Sequence, residues 1–226
     1  MFDADREFSL QTTTAVDPLR QRWLPYRNFG KRAFDVAFVV ILSPLLFPVI
    51  ALLALAVRLD GGAAFFGHKR VGKDGTTFTC WKLRSMVPDA EERLRIYLKA
   101  HKEEQEFWQA NFKLTDDPRV TKVGRFLRKT SLDELPQFWN VLIGDMSVVG
   151  PRPVTQEETA LYGNAKAILQ TARPGITGLW QVSGRNNLDY DQRVALDVKY
   201  LNLFDFRADL SIILRTVYVM LRRTGV

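Results

Sequence analysis

Residues 36–57 read VAFVVILSPLLFPVIALLALAV, 22 positions without a charge. As one straight helix such a run is about 33 Å long, enough for the roughly 30 Å hydrocarbon core of a bilayer. Two details argue against a plain crossing. Pro44 and Pro48 sit mid-run, where proline removes a helix hydrogen bond and bends the axis. The Ser43 hydroxyl, just before Pro44, can bond a carbonyl freed in this way. Positive charge also lies on both flanks, Lys31 and Arg32 before and Arg58, Lys69 and Arg70 after. Positive charge favours the cytoplasmic side, so two cytoplasmic flanks require a segment that enters and returns. The expectation is a re-entrant membrane helix over 31–60, broken at Ser43 and Pro44. A plain span is the alternative; a buried soluble helix does not suit this length and purity. Ala54-Leu55-Ala56 resembles a signal cleavage pattern, but a lead-in of 35 polar and charged residues is too long for a usual signal.

Outward from this run, residues 1–30 form a polar arm without a clear period. Its Arg20, Arg22, Trp23, Tyr26 and Arg27 suit a lipid headgroup zone or, equally, a disordered arm. Residues 61–226 read as a soluble, mixed domain. Gly61-Gly62 is a breaker, and Ala63–Met86 has the pattern of a β-hairpin punctuated by Gly67, Gly72 and Gly75. Helices are predicted over 89–112, 131–142, 157–171, 188–203 and 209–223, with loops at 144–153 and 173–187. In the last helix Leu210, Ile213, Leu214, Val217 and Leu221 line one stripe, which Ile212 and Val219 interrupt. That stripe either lies in the membrane interface or packs on the domain's own core. The fold class is thus α+β, mostly helical.

Composition narrows the chemistry. The chain has 226 residues, 46% hydrophobic and 25% charged, which excludes a disordered tail. A mean hydropathy of −0.12 excludes a polytopic membrane protein. The single cysteine, Cys80, excludes an internal disulfide framework and a Cys-clustered metal site, and two histidines exclude a three-His centre. The net charge of +7 rests on 21 arginines and 11 lysines, and arginine's planar fork suits bidentate phosphate recognition. A nucleic-acid partner is suggested by charge alone, and the apolar run speaks against it.

Phosphate loops and dinucleotide fingerprints are absent. Asp189-Tyr190-Asp191 is a D-x-D, better read as helix N-terminal acids. Asp133-Glu134 is the pair of interest. On spacing alone it is ordinary: Ser131 as N-cap with Glu134 closing a capping box. Its neighbours change the weighting. Arg119, Lys122, Arg125, Arg128 and Lys129 precede it, and Gly150-Pro151-Arg152-Pro153, Arg173-Pro174-Gly175 and Ser183-Gly184-Arg185-Asn186 follow. Carboxylates among arginines on loops of restricted shape look like a site for an anionic, metal-bound substrate.

At these residues the sequence resembles the bacterial sugar transferases, monotopic phosphoglycosyl transferases acting on polyprenyl phosphate. The matching stretches are Lys31-Arg32-Ala33-Phe34-Asp35, Ser43-Pro44, Arg70-Val71-Gly72, Lys82-Leu83-Arg84-Ser85-Met86, Asp117-Pro118-Arg119, Ser131 to Gln137, Asn140-Val141-Leu142, Gly144 to Ser147, Gly150 to Pro153 and Arg173 to Gly178. They run in family order over residues 31 to about 205. The resemblance implies a catalytic domain on the cytoplasmic face of the bacterial inner membrane. It implies Asp133 as nucleophile on the β-phosphate of a UDP-hexose and as ligand of Mg²⁺, with Glu134 assisting. Release of UMP would leave a sugar-phosphate on Asp133, which undecaprenyl phosphate would accept. The implied substrate-binding set is Lys82, Arg84, Arg128, Arg152, Pro153 and Arg185, with Lys82, Arg128 and Arg152 on phosphate-binding positions. Leu83 departs from the aromatic residue common in the family. The lack of a multi-span N-terminal region reads as a minimal form, closest to galactose-1-phosphate transferases of exopolysaccharide synthesis, with glucose as the other donor sugar. A homodimer is left open. The rival is a catalytically inactive, membrane-anchored binding protein.

Overall fold

The structure is a computed structural model in which residues 26–111, 114, 117–184 and 188–221 are described. Helix α1 (Lys31–Leu59) follows a π-helical turn at Tyr26–Gly30 and stays helical through both prolines, without the break expected at Ser43 and Pro44. Pro44 has no N–H to give the Val40 carbonyl, and Ser43 Oγ donates to that carbonyl instead, at 2.8 Å. Among the described residues α1 is the one helix long and apolar enough to cross a membrane.

Both ends of α1 dock on one folded body. At its start, the Arg32 guanidinium donates to the carbonyls of Val141 and Leu142, Asp35 accepts from Val148 N, and Val39 enters the main core. At its end, Ala54 and Val57 pack with Leu83 and Leu127, and Arg84 Nη2 donates to Val57 O at 2.9 Å. Between the two docks, Ile41, Leu45 and Leu52 lie exposed.

The expected hairpin is present. Strand β1 (Phe65–Val71) pairs antiparallel with β2 (Thr77–Leu83), His68 opposite Cys80. The turn between them takes left-handed backbone at Asp74 and Gly75. The helix expected over 89–112 is two, α2 (Ala90–Ala100) and α3 (Lys102–Asn111), because His101 leaves helical backbone (φ −129°, ψ 88°) and stacks its ring on Tyr97.

Helix α4 (Lys122–Thr130) is unexpected. Thr121 Oγ1 caps it by accepting from Gly124 N at 2.9 Å. Gly124 crosses the backbone of Ser85 so closely that a Cβ would overlap the Ser85 carbonyl. The helix expected from Ser131 is corrected as well. Ser131 is left-handed (φ 57°) and ends α4 without a side-chain cap, so no capping box forms. A single 3₁₀ turn, Leu132–Glu134, follows, and the helix proper is α5 (Gln137–Ile143).

Two segments expected as loops each contribute a three-residue strand. Strand β3 (Ser147–Val149) pairs in parallel with β4 (Gly175–Thr177). Gly150 and Gly175 permit the approach: a Cβ on either would overlap the other's backbone. Between them, the region expected as one helix is a 3₁₀ stretch at Glu158–Ala165, kinked at Gly163, followed by α6 (Lys166–Leu169). Helices α7 (Leu179–Ser183), α8 (Tyr190–Leu203) and α9 (Phe206–Leu221) complete the chain. In α9 the stripe divides: Leu210, Leu214 and Val217 are exposed, Ile213 packs against the core, and Ile212, read as an interruption, is buried in it.

The main core joins α1, the hairpin, α5, β3, α8 and α9 through Val39, Cys80, Val141, Val149, Leu201 and Ile212. A polar hub ties the same elements. Lys31 bridges Asp35 and Asp209 at 2.9 Å each, and Tyr26 and Tyr200 donate to Asp209. Tyr26 and Arg27, expected among lipid headgroups or in a disordered arm, instead face the protein, Arg27 donating to the Leu201 carbonyl. Arg20, Arg22 and Trp23 lie outside the described residues.

Candidate active site

The 3₁₀ turn after α4 carries Asp133 and Glu134 to the rim of a cleft of about 500 Å³. Arg128, from the last turn of α4, shares that rim. The opposite side is apolar: Phe38, Leu42 and Leu46 from α1, and Ile213, Val217 and Met220 from α9. Trp180 and Thr177 close the end towards β4. One cleft therefore runs from a carboxylate pair among cations to a greasy wall made by two helices.

The two carboxylates live differently. Glu134 accepts from Lys82 Nζ at 2.6 Å. The Asp133 carboxylate has no side-chain hydrogen-bond partner among the described residues, only a hydrogen bond from its own backbone N–H. Burial pushes its carboxyl up to about 6, opposed by Lys82 and Arg128 and reinforced by the negative charge of Glu134. A carboxylate that is desolvated, weakly hydrogen-bonded and set beside cations is a chemically available nucleophile. Arg128 is positioned from behind: its Nε donates to Ser85 Oγ at 2.8 Å, below the Gly124 crossing.

The expected substrate-binding residues separate into groups. Lys82 and Arg128 stand at the carboxylates. Arg84 does not: it reaches under the C-terminal end of α1, where an arginine completes a helix terminus. Arg152 is exposed, its Cζ 5.5 Å from the Trp180 ring centre, and Pro153 is half-buried next to Val154, whose carbonyl accepts from Val71 N. Arg185 lies outside the described residues. Asp189 caps α8 through a capping box with Gln192, as the sequence suggested. Asp145 accepts from Asn140 and is not on the cleft.

Among the described residues no group of three His, Cys, Asp or Glu could enclose a metal. A Mg²⁺ ion commonly binds through one or two carboxylates plus substrate phosphates and water. Asp133 and Glu134 fit that donor set and no fuller one.

Sequence reading missed Trp180, which lines the cleft, and the α1 face at Phe38, Leu42 and Leu46. Their spacing of four residues on one helix was a usable signal. Nothing in the sequence marked Trp180, which sits on a five-residue helix after a three-residue strand.

The chain belongs to the bacterial sugar transferase family, whose model matches residues 26–223. It is 46% identical over 198 residues to the UDP-galactose-lipid carrier transferase of Erwinia amylovora, and 47% identical over 198 residues to the undecaprenyl-phosphate galactose phosphotransferase of Salmonella typhimurium. Each alignment covers 88% of this chain but only 42% of the relative. The chain thus spans less than half the length of these two. The exopolysaccharide production protein ExoY of Sinorhizobium fredii is 45% identical over 197 residues, covering 85% of this chain and 86% of that protein.

Proposed function

We propose that this chain is a membrane-associated phosphoglycosyl transferase that moves a hexose-1-phosphate from a UDP-hexose to undecaprenyl phosphate, at the first step of exopolysaccharide or related glycan assembly. Galactose, the sugar in the names of two relatives, is favoured, and glucose is second. The observation that carries this reading is the cleft. Its polar rim suits a diphosphate, and its wall of α1 and α9 suits a prenyl chain, so one cleft accommodates both kinds of substrate.

In the first step an Asp133 carboxylate oxygen attacks the β-phosphorus of the donor. The bond to the bridging oxygen breaks, and UMP leaves with both electrons of that bond. Lys82, Arg128 and Arg152 would spread the charge that develops on the leaving phosphate. In the second step a phosphate oxygen of undecaprenyl phosphate attacks the same phosphorus and releases the Asp133 carboxylate. Glu134, held by Lys82, takes part in orienting the acceptor or the metal. Mg²⁺, when bound at Asp133 and Glu134, would neutralise diphosphate charge. Two displacements on one carboxylate imply ping-pong kinetics.

The domain plan fits this chemistry: a membrane segment over 31–60 and a catalytic domain over 61–226, its α9 stripe at the interface. Docking of both α1 ends on one body supports re-entry over crossing, because a crossing would carry one dock to the far side. The Ser43 bond supports a proline-containing helix in an apolar medium. On this reading the catalytic domain lies on the cytoplasmic face of the inner membrane.

The test is UMP release by detergent-purified protein with Mg²⁺ and undecaprenyl phosphate, offered UDP-galactose and UDP-glucose in parallel. Release with one donor, dependent on lipid and metal, is expected. No release with any UDP-sugar from folded protein contradicts the reading and leaves the inactive anchor.

A further inference from the structure

Trp180 lines the same cleft as Asp133 and Glu134 yet is only 5% exposed. Its indole Nε1 is buried and makes no hydrogen bond among the described residues. Two guanidinium groups converge on this ring. Arg152 Cζ lies 5.5 Å and Arg193 Cζ 5.1 Å from its centre, within cation–π range. Arg193, on the first turns of α8, is steered there by a bond from its Nε to the Leu188 carbonyl at 3.1 Å. Its terminal amino groups, and the whole Arg152 guanidinium, make no hydrogen bond or ion pair among the described residues.

The surroundings add charge of the same sign. Arg70 acts on Arg152 through space, although Glu158 pairs with Arg70 at 2.9 Å. Asp197, the carboxyl that Arg152 acts on through space, is buried, accepts from the Tyr162 hydroxyl and forms no salt bridge among the described residues. Two guanidinium groups on one ring that lines the cleft, neither in a salt bridge among the described residues, are a site for a multiply charged anion.

We propose that Arg193 and Arg152, gathered on Trp180, form the clamp for the nucleotide phosphate of the donor, the half that departs as UMP. This rests on the reading of the cleft given above and adds Arg193 to it. Trp180 links the two: it lines the cleft that holds Asp133 and Glu134, and its ring carries the arginines. The acceptor phosphate, entering from the α1–α9 wall after UMP has gone, meets Asp133, Lys82 and Arg128, and has no need of Arg193. The two phosphate-bearing substrates are thereby separated by side chains rather than by time alone.

The test uses UMP as probe, with binding measured by calorimetry on the purified full chain in detergent with Mg²⁺. Arg193→Gln and Arg152→Gln should each weaken UMP binding by about 10- to 100-fold, the loss typical of a charge-assisted phosphate contact. Arg193→Lys, which keeps the charge but loses the fork, should fall between. In turnover, Arg193→Gln should raise KM for the UDP-hexose and leave KM for undecaprenyl phosphate unchanged. A purely structural role for Arg193 would move neither KM selectively. Wild-type UMP affinity in both Arg193 variants overturns the clamp, as does the absence of UMP binding in the wild type. If the wild type binds UMP through Arg193 yet transfers no sugar-phosphate, the clamp stands and the transferase reading falls.

Discussion

The molecule holds two clusters of acids and cations, and they are built on opposite rules. At the foot of α1, Asp35 and Asp209 are 1% and 0% exposed, and both receive bonds from several donors: Lys31 at 2.9 Å each, Val148 N for Asp35, and two tyrosine hydroxyls for Asp209. At the cleft, Glu134 has one partner, Lys82, and the Asp133 carboxylate has its own backbone N–H and no side-chain partner among the described residues. The first cluster is deep and satisfied, and it binds the N-terminal end of α1 to α9 and β3. The second is half-buried and sparsely bonded. Burial alone does not make a carboxylate reactive. Burial with few partners, next to cations, leaves it ready to bond with something else.

Single substitutions test that contrast. The largest effect is expected at Asp133. Asp133→Asn should lower hexose-phosphate transfer by at least about 1,000-fold, as removal of a covalent nucleophile does, with membrane association retained and no loss of stability. Lys31→Met should do the reverse. It leaves Asp35 and Asp209 buried and short of a cation, a loss of about 3–5 kcal/mol, read as a lowered melting temperature, with little change in kcat among molecules still folded.

A smaller effect concerns pH. The Asp133 carboxyl is raised in the fold to about 6, so the fold favours its protonated form. That preference is fully present below the unfolded value near 4 and is lost as pH rises through 6. Asp133→Asn should therefore melt higher than wild type at pH 7.5, by about 1–2 kcal/mol after allowance for solvent at the cleft mouth, and equally at pH 3.5. Melting curves without Mg²⁺ at the two pH values read this directly. The smallest effect is at Ser43. Ser43→Ala removes the donor that satisfies the Val40 carbonyl and should cost about 0.5–1.5 kcal/mol in detergent. No change would mean that this carbonyl needs no partner there.

Much of the fold was legible where the signal was long or chemically sharp. The 22-residue uncharged run became α1, the glycine-punctuated segment became the hairpin, and Asp189 became a cap. What escaped depends on contacts between distant residues. Strands β3 and β4 have three residues each and exist only because Gly150 and Gly175 let their backbones meet. Ser131 has the composition of an N-cap, but it takes left-handed backbone and ends α4 instead. That turn separates Asp133 from any capping role and aims it at the cleft. In α9, Ile212 faces the core because Asp209, one turn earlier, is drawn inward by Lys31 and two tyrosines. At the site, motif resemblance named Asp133, Glu134, Lys82 and Arg128, which the fold brings together. It grouped Arg84 with them, although Arg84 supports the end of α1, and it gave no hint of Trp180 or Arg193.

The most direct test of the account is the intact mass of the purified protein incubated with UDP-galactose and Mg²⁺ in the absence of undecaprenyl phosphate. A gain of one hexose phosphate is expected, mapped by peptide fragmentation to Asp133, discharged by added undecaprenyl phosphate and absent in Asp133→Asn. Transfer in the complete reaction with no adduct at any time, or an adduct on another residue, would contradict the assignment of Asp133 as the nucleophile.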